Sequence, residues 1–147
     1  MNNIFVTDTD SIVSCFHEVF GVRQILTKRA RRIIEQAFVT YPSGIKLSIP
    51  SVVFIEIFDK WFREEETARK IRYEFYELVQ KSPNIEIKPI EQEVLENLII
   101  IEDELSSHDM HDKIILASAI MLNCPIITTD RKIISYLKKH KVIPYIR

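Results

Sequence analysis

Only two glycines, Gly21 and Gly44, occur among the 147 residues. A phosphate-cradling P-loop or a GxGxxG turn needs several, so that backbone amides can approach the phosphate, and their scarcity argues against both. Cysteine is as sparse. Cys15 and Cys124 lie far apart in apolar surroundings with no CxxC pair, which points to buried reduced thiols and away from zinc. No apolar run approaches the roughly 18 residues of a membrane span. The opening MNNIFVTDTD has no basic segment ahead of an apolar core. The expectation is a cytoplasmic protein with no membrane partner. A net charge of -1 gives no overall pull toward nucleic acid, so a polyanion would have to be held by local basic clusters and a bound cation. What is present is ordinary for a globular chain: 46% hydrophobic and 28% charged residues. At this length about two-thirds of the unfolded surface can be buried. One domain over residues 1–147 is the simplest organisation.

The run IFVT at 4–7 ends in Asp8-Thr9-Asp10-Ser11, the pattern of a buried strand followed by a helix start with Asp10 or Ser11 as cap. That helix should cover 11–20 and stop at Gly21. Ile25, Leu26, Ala30, Ile33, Ile34, Ala37 and Phe38 recur at helical spacing opposite Lys28, Arg29, Arg31 and Arg32, predicting an amphipathic helix with a basic face over 22–38. Pro42-Ser43-Gly44 turns the chain into a strand at 45–49, closed by Pro50. Ser51 should cap a helix through Phe62, with 63–66 as a joint and a second helix over 67–80. Together these make a helical arm around residues 51–81. A strand at Ile85, Ile87 and Ile90 follows, then helices over 91–105 and 108–122 separated by Ser106-Ser107. A strand over 125–130, a basic helix over 131–140 and a strand over 142–146 complete the chain. Short strands alternating with helices predict an α/β domain, a mainly parallel central sheet flanked by helices.

Four acids, Asp8, Glu56, Asp112 and Asp130, lie at the edges of apolar runs that a folded domain would bury. A carboxylate that leaves water without a partner loses several kcal/mol. In a parallel sheet, ligands bind outside the carboxyl ends of the strands, where Asp8 and Asp130 fall. Either aspartate alone reads equally well as a helix cap. Glu56 borders the face formed by Val52, Val53 and its apolar neighbours, and Asp112 opens the stripe of Ile115, Leu116 and Ala119. Taken together, four such acids are best satisfied by one divalent cation, and oxygen-only ligation suits Mg²⁺ or Mn²⁺.

Three segments carry a resemblance. IFVTDTDSIV at 4–13 looks like a strand leading into an Asp-Thr-Asn signature, IPSVVFIEI at 49–57 carries Glu56, and HDKIILASAIMLNCPIITTD at 111–130 runs from a helix-opening Asp to a strand-closing Thr-x-Asp. Along its whole length the chain resembles the PIN-domain family of metal-dependent ribonucleases, particularly the VapC-type toxins of toxin-antitoxin pairs. The resemblance implies a metal-dependent endoribonuclease, the toxin of a type II pair, with Asp8, Glu56, Asp112 and Asp130 at the metal and Thr128 as a companion hydroxyl. It further implies RNA as substrate, a cognate antitoxin, and a homodimer as an open partner expectation. Asp10 stands where the family has Asn, and either adds a metal contact or caps the helix. Asp109, one turn before Asp112, is an alternative ligand or a solvated charge, and His108 and His111 read as surface residues.

The basic residues Lys28, Arg29, Arg31, Arg32, Arg131, Lys132, Lys138, Lys139 and Lys141 are candidates for an RNA backbone path, against the plainer reading of solvated helix faces. Phe54, Phe58, Trp61, Phe62, Tyr73, Phe75 and Tyr76 crowd the helical arm. Most should be core, with a groove for a second subunit or an antitoxin helix as a further expectation. Two rival readings stay open. Asp8-x-Asp10 after a strand also resembles the nucleophile motif of haloacid-dehalogenase-like phosphohydrolases, and a non-catalytic PIN-like binding module would keep the fold without turnover.

Overall fold

The structure, a computed structural model, describes residues 3–105 and 109–147. The chain opens with strand β1 (Ile4–Thr7) and helices α1 (Thr9–Cys15), α2 (His17–Phe20) and α3 (Lys28–Ala37). Strand β2 (Lys46–Pro50) leads into helix α4 (Ser51–Trp61) and then α5 (Glu65–Ile71). A π-helical turn (Arg72–Tyr76) joins α5 to α6 (Glu77–Lys81). Strand β3 (Ile85–Lys88), helices α7 (Gln92–Leu105) and α8 (Met110–Leu122), strand β4 (Ile126–Ile127), helix α9 (Arg131–His140) and strand β5 (Tyr145–Ile146) follow. All strands are parallel, in the order β3-β2-β1-β4-β5. The predicted α/β architecture is the one observed. The Ser106-Ser107 break and His108 lie outside the described residues.

The core explains the apolar runs. Val6, Leu47, Ile49, Ile126 and Ile127 are buried in the middle of the sheet, as expected for parallel strands covered by helices. Exposed edges are kept short or charged: β5 has two residues, and β3 exposes Glu86 and ends at Lys88-Pro89. Neither Cys15 nor Cys124 is in a disulfide, Cys124 is buried, and burial pushes the Cys15 thiol up to about 12, so it stays protonated and unreactive.

Several predicted boundaries move, each for a local reason. Asp8 itself caps α1, its Oδ1 accepting the Ser11 N–H at 2.8 Å, so the helix starts at Thr9 and Asp10 sits in its first turn. The helix breaks at Phe16, whose ring packs edge-on against Phe38 and Phe75. Residues 22–27 stay out of α3 because polar side chains take their backbone groups: Ile25 N–H donates to Ser14 Oγ at 2.7 Å and Leu26 N–H to Gln24. Thr27 then caps α3. Ser51 is the first residue of α4, not its cap. The scarcity of glycine also has a structural answer. Helices α8 and α9 end on Asn123 and Lys141, both left-handed at φ 53° and 54°, the conformation usually supplied by glycine.

The arm is α4 followed by one helical stretch over 65–81 that is interrupted only by the π turn. Ile71, Phe75 and Val79 form its buried stripe. Of the seven aromatics in the arm, Phe54 and Phe75 are buried, Trp61 and Tyr76 pack partly against the core, and Phe58, Phe62 and Tyr73 are exposed.

Candidate metal centre

The strand order reverses between β1 and β4, and in an open parallel sheet the crevice beyond the carboxyl ends at such a reversal is the usual ligand site. Asp8 follows β1 by one residue. Asp130 follows β4 by three, and Thr128 lies between. Hydrogen bonds tie these pieces together: Asp8 N–H donates to the Ile127 carbonyl at 3.1 Å, and the Ser11 hydroxyl donates to the same carbonyl at 3.3 Å. The buried Thr128 hydroxyl accepts the Asp130 N–H at 3.0 Å and hydrogen-bonds to the Asp8 carboxylate. Thr128 thus couples the two aspartates.

Both cap readings hold. Asp130 Oδ1 accepts Lys132 N–H at 2.9 Å and Ile133 N–H at 3.0 Å, as Asp8 accepts from Ser11. A carboxylate offers about four lone-pair directions over two oxygens, so capping does not exhaust either group. Burial dominates at Asp8: the residue is 2% exposed, and desolvation pushes the carboxyl up to about 6 despite bonds from Ser11 and Thr128 that favour the charged form.

Asp112 is the third residue of α8. Its carboxyl is pushed up to about 8, first by burial and then by the like charges of Asp8, Asp130, Glu56 and Asp109. Acids separated by up to 122 positions in sequence therefore share one electrostatic environment. Asp10 is raised by burial of its carboxyl and by the charge of Glu56, with Lys60 offsetting part of the effect. Asp109 caps α8 through the His111 N–H at 2.8 Å; burial acts to raise it, but His111 and Lys60 outweigh that and hold it below the usual range. His111 Nδ1 also lies 3.0 Å from Asp109 Oδ1.

Glu56 is 4% exposed on α4. Its Oε2 accepts the Lys60 ammonium at 2.6 Å, while its Oε1 is buried without a hydrogen-bond partner. Lys60 is the neighbour that the sequence reading missed. The signal was there, since Glu and Lys at i, i+4 face each other on a helix.

These residues fit a hard divalent ion. The donors are oxygens, one buried carboxylate oxygen is unsatisfied, and like charge crowds Asp112. Among the described residues no three His, Cys, Asp or Glu side chains are grouped closely enough to hold a metal ion as they stand.

The electrostatics has a consequence for stability. Unfolded, Asp8 and Asp112 release their protons near pH 4; folded, they hold them to about 6 and about 8. The stability they contribute is fully present below about pH 4 and is lost as pH rises through the folded values. In the metal-free protein those shifts in full would amount to a loss of about 5 kcal/mol between pH 5 and 8.5; solvent screening of the partly exposed Asp112 reduces this to about 2–4 kcal/mol, roughly 10 °C in melting temperature. Melting curves of wild type and Asp112→Asn across that range check this: the substitution should flatten the slope, and parallel profiles would mean Asp112 is not crowded.

The predicted cationic path is only partly near this crevice. Arg131 and Lys132 are exposed at the start of α9, directly after Asp130. At 1.5 Å per residue, Lys138, Lys139 and Lys141 lie about 10–15 Å further along that helix. On α3, Lys28, Arg29 and Arg32 are exposed, and Arg31 pairs with Glu35 at 3.4 Å. A cavity of about 390 Å³ lined by Ile4, Lys46, Asn84 and Cys124 sits at the amino ends of the strands, away from the acids.

Sheet order and site together define an α/β domain with an acidic crevice at its topological switch point. The PIN domain family profile matches residues 8–139, and the chain belongs to that family, a family of nucleases. No curated protein matches the sequence. Solved structures match the fold at low identity. A VapBC2 structure from Rickettsia felis, bound to a promoter DNA fragment, aligns at TM-score 0.69 and 14% identity over 97% of this chain and 96% of that one. The FitAcB structure from Neisseria gonorrhoeae aligns at TM-score 0.65 and 12% identity, again over 97% and 96%. VapBC-1 from nontypeable Haemophilus influenzae aligns at TM-score 0.63 and 16% identity over 97% and 96%. Family membership favours the nuclease over the phosphohydrolase reading.

Proposed function

We propose that this protein is a metal-dependent endoribonuclease and the toxin of a type II toxin-antitoxin pair, acting in the cytoplasm. The catalytic part is supported by the charges of Asp8, Asp130 and Glu56, which with burial raise the Asp112 carboxyl beyond the switch point, and above all by Glu56 Oε1, buried and unsatisfied. Asp8, Asp112 and Asp130 would hold Mg²⁺ or Mn²⁺ directly or through water, and Glu56 would help hold the ion or orient the attacking water. When bound, the ion supplies positive charge against the phosphoryl oxygens and an acidified water as nucleophile. Thr128 keeps Asp8 and Asp130 in mutual register, and no side chain of the protein becomes covalently attached to substrate. Arg131 and Lys132 are the basic residues best situated to neutralise RNA phosphates beside the acids.

The toxin assignment rests on family membership and on the likeness to VapBC structures. The partner is then an antitoxin. The groove of about 460 Å³ lined by Phe58, Phe62, Arg72 and Tyr76 offers exposed aromatic anchors for it, and a homodimer is a second partner expectation. No helix among the described residues is long and apolar enough to cross a membrane.

Incubation of purified protein with RNA and Mn²⁺ should give internal cleavage products and release no inorganic phosphate, and a chelator should abolish cleavage. Cleavage that persists in chelator, or phosphate release without internal cuts, would remove the metal-nuclease reading. The toxin claim is tested separately: expression should arrest growth, and growth unchanged by active protein would refute it.

A further inference from the structure

Lys60 stands one turn after Glu56 on α4, its ammonium 2.6 Å from Glu56 Oε2. The two ends of this pair differ sharply, the glutamate side chain being 5% exposed and the lysine side chain 49%. On an open helix face such a pair does little. Here the acid is buried, its second oxygen has no hydrogen-bond partner, and the lysine also feels Asp10 on α1 and Asp109 at the start of α8. The ammonium therefore answers acids from three elements around the crevice.

We infer that Lys60 is a built-in counter-cation of the acidic crevice, which neutralises Glu56 while no metal is bound and must withdraw from it when a divalent ion takes that carboxylate. This rests on the metal-nuclease reading and goes beyond it by naming what competes with the ion. The geometry suits exchange. A half-exposed ammonium on a flexible four-carbon stem can return to water, whereas the buried carboxylate cannot. Lys60 is a positioning residue: it holds Glu56 in place before the ion arrives, and its charge lowers the affinity for the ion. Removing that charge removes both the competition for Oε2 and a repulsion across a few ångströms near the protein surface, worth about tenfold in affinity.

Calorimetric titration of Mn²⁺ into wild type, Lys60→Met, Lys60→Gln, Lys60→Arg and Asp112→Asn tests this, with melting temperatures measured with and without Mn²⁺. The neutral variants should bind Mn²⁺ about tenfold tighter than wild type, and Lys60→Arg should stay near the wild-type affinity. Lys60→Met should also melt below wild type without metal and recover with Mn²⁺. Weakened binding in Asp112→Asn locates the ion in the crevice. If wild type binds Mn²⁺ and neither neutral variant binds it more tightly, Lys60 is only a helix-face partner and the inference fails while the metal reading stands. If neither wild type nor the neutral variants bind Mn²⁺, the metal reading itself fails and takes the inference with it.

Discussion

Replacing Asp112 with asparagine should reduce metal-dependent RNA cleavage by about 10³-fold or more without destabilising the metal-free protein. The activity term follows from charge. A divalent ion stabilises the phosphoryl transition state by several kcal/mol, and each 1.36 kcal/mol is about tenfold in rate. Asp112 is the carboxylate on which the other acids act, so its charge is the one an ion would most relieve. The stability term has the opposite sign. An amide at 112 removes a partly desolvated carboxyl that Asp8, Asp130, Glu56 and Asp109 all repel, so the metal-free melting temperature should equal or exceed that of wild type. Cleavage rates with Mn²⁺ and melting curves of the same samples separate the two effects. Full activity in the variant would exclude Asp112 from the chemistry, whereas a fall in both activity and melting temperature would mean that its role is structural.

The parts of this arrangement that were legible in the sequence are those written in local pattern. Apolar runs ending in acids located β1 and β4 with Asp8 and Asp130 at their ends, and the stripe after Asp112 located α8. The limits of the elements were harder to read because tertiary partners set them. Ser14 and Gln24 hold 22–27 out of α3 from a distance of up to 11 positions. Beyond Ile127 the Thr128 N–H still donates to the Ile146 carbonyl of β5 at 2.9 Å, but the ladder ends there, so the apparent strand 125–130 shortens to two residues before Thr128 turns the chain to Asp130. In sequence Asp8 and Asp130 read equally well as caps or as site residues, and the geometry makes both of them caps at the carboxyl ends of β1 and β4. Lys60 carries no motif of its own and shows only as a cation one turn after Glu56. What surrounds a carboxylate decides its chemistry, and here a cation one turn away was part of those surroundings.

The same dependence on partners governs the arm that carries Glu56, and Phe75 is where it should fail. Its ring is fully buried and meets Phe16 at 5.1 Å, Phe20 at 5.5 Å, Phe38 at 6.0 Å and Phe54 at 6.2 Å between centroids. Phe75→Ala should destabilise the protein by about 3–5 kcal/mol, because transfer energy and a cavity among rigid rings add. For a chain of this size that is roughly 10–15 °C in melting temperature. Tyr73→Ala, two residues away and 54% exposed, should stay within about 0.5 kcal/mol. Urea denaturation of both variants decides the matter: similar midpoints would mean that the π turn does not deliver Phe75 into a shared core. The loss should also reach the site. Phe54 shares α4 with Glu56, two residues apart, so loosening the ring cluster frees the helix that holds the buried carboxylate. Below its lowered melting temperature, Phe75→Ala should therefore bind Mn²⁺ more weakly than Tyr73→Ala, and equal affinities would show that α4 is anchored by its other contacts alone.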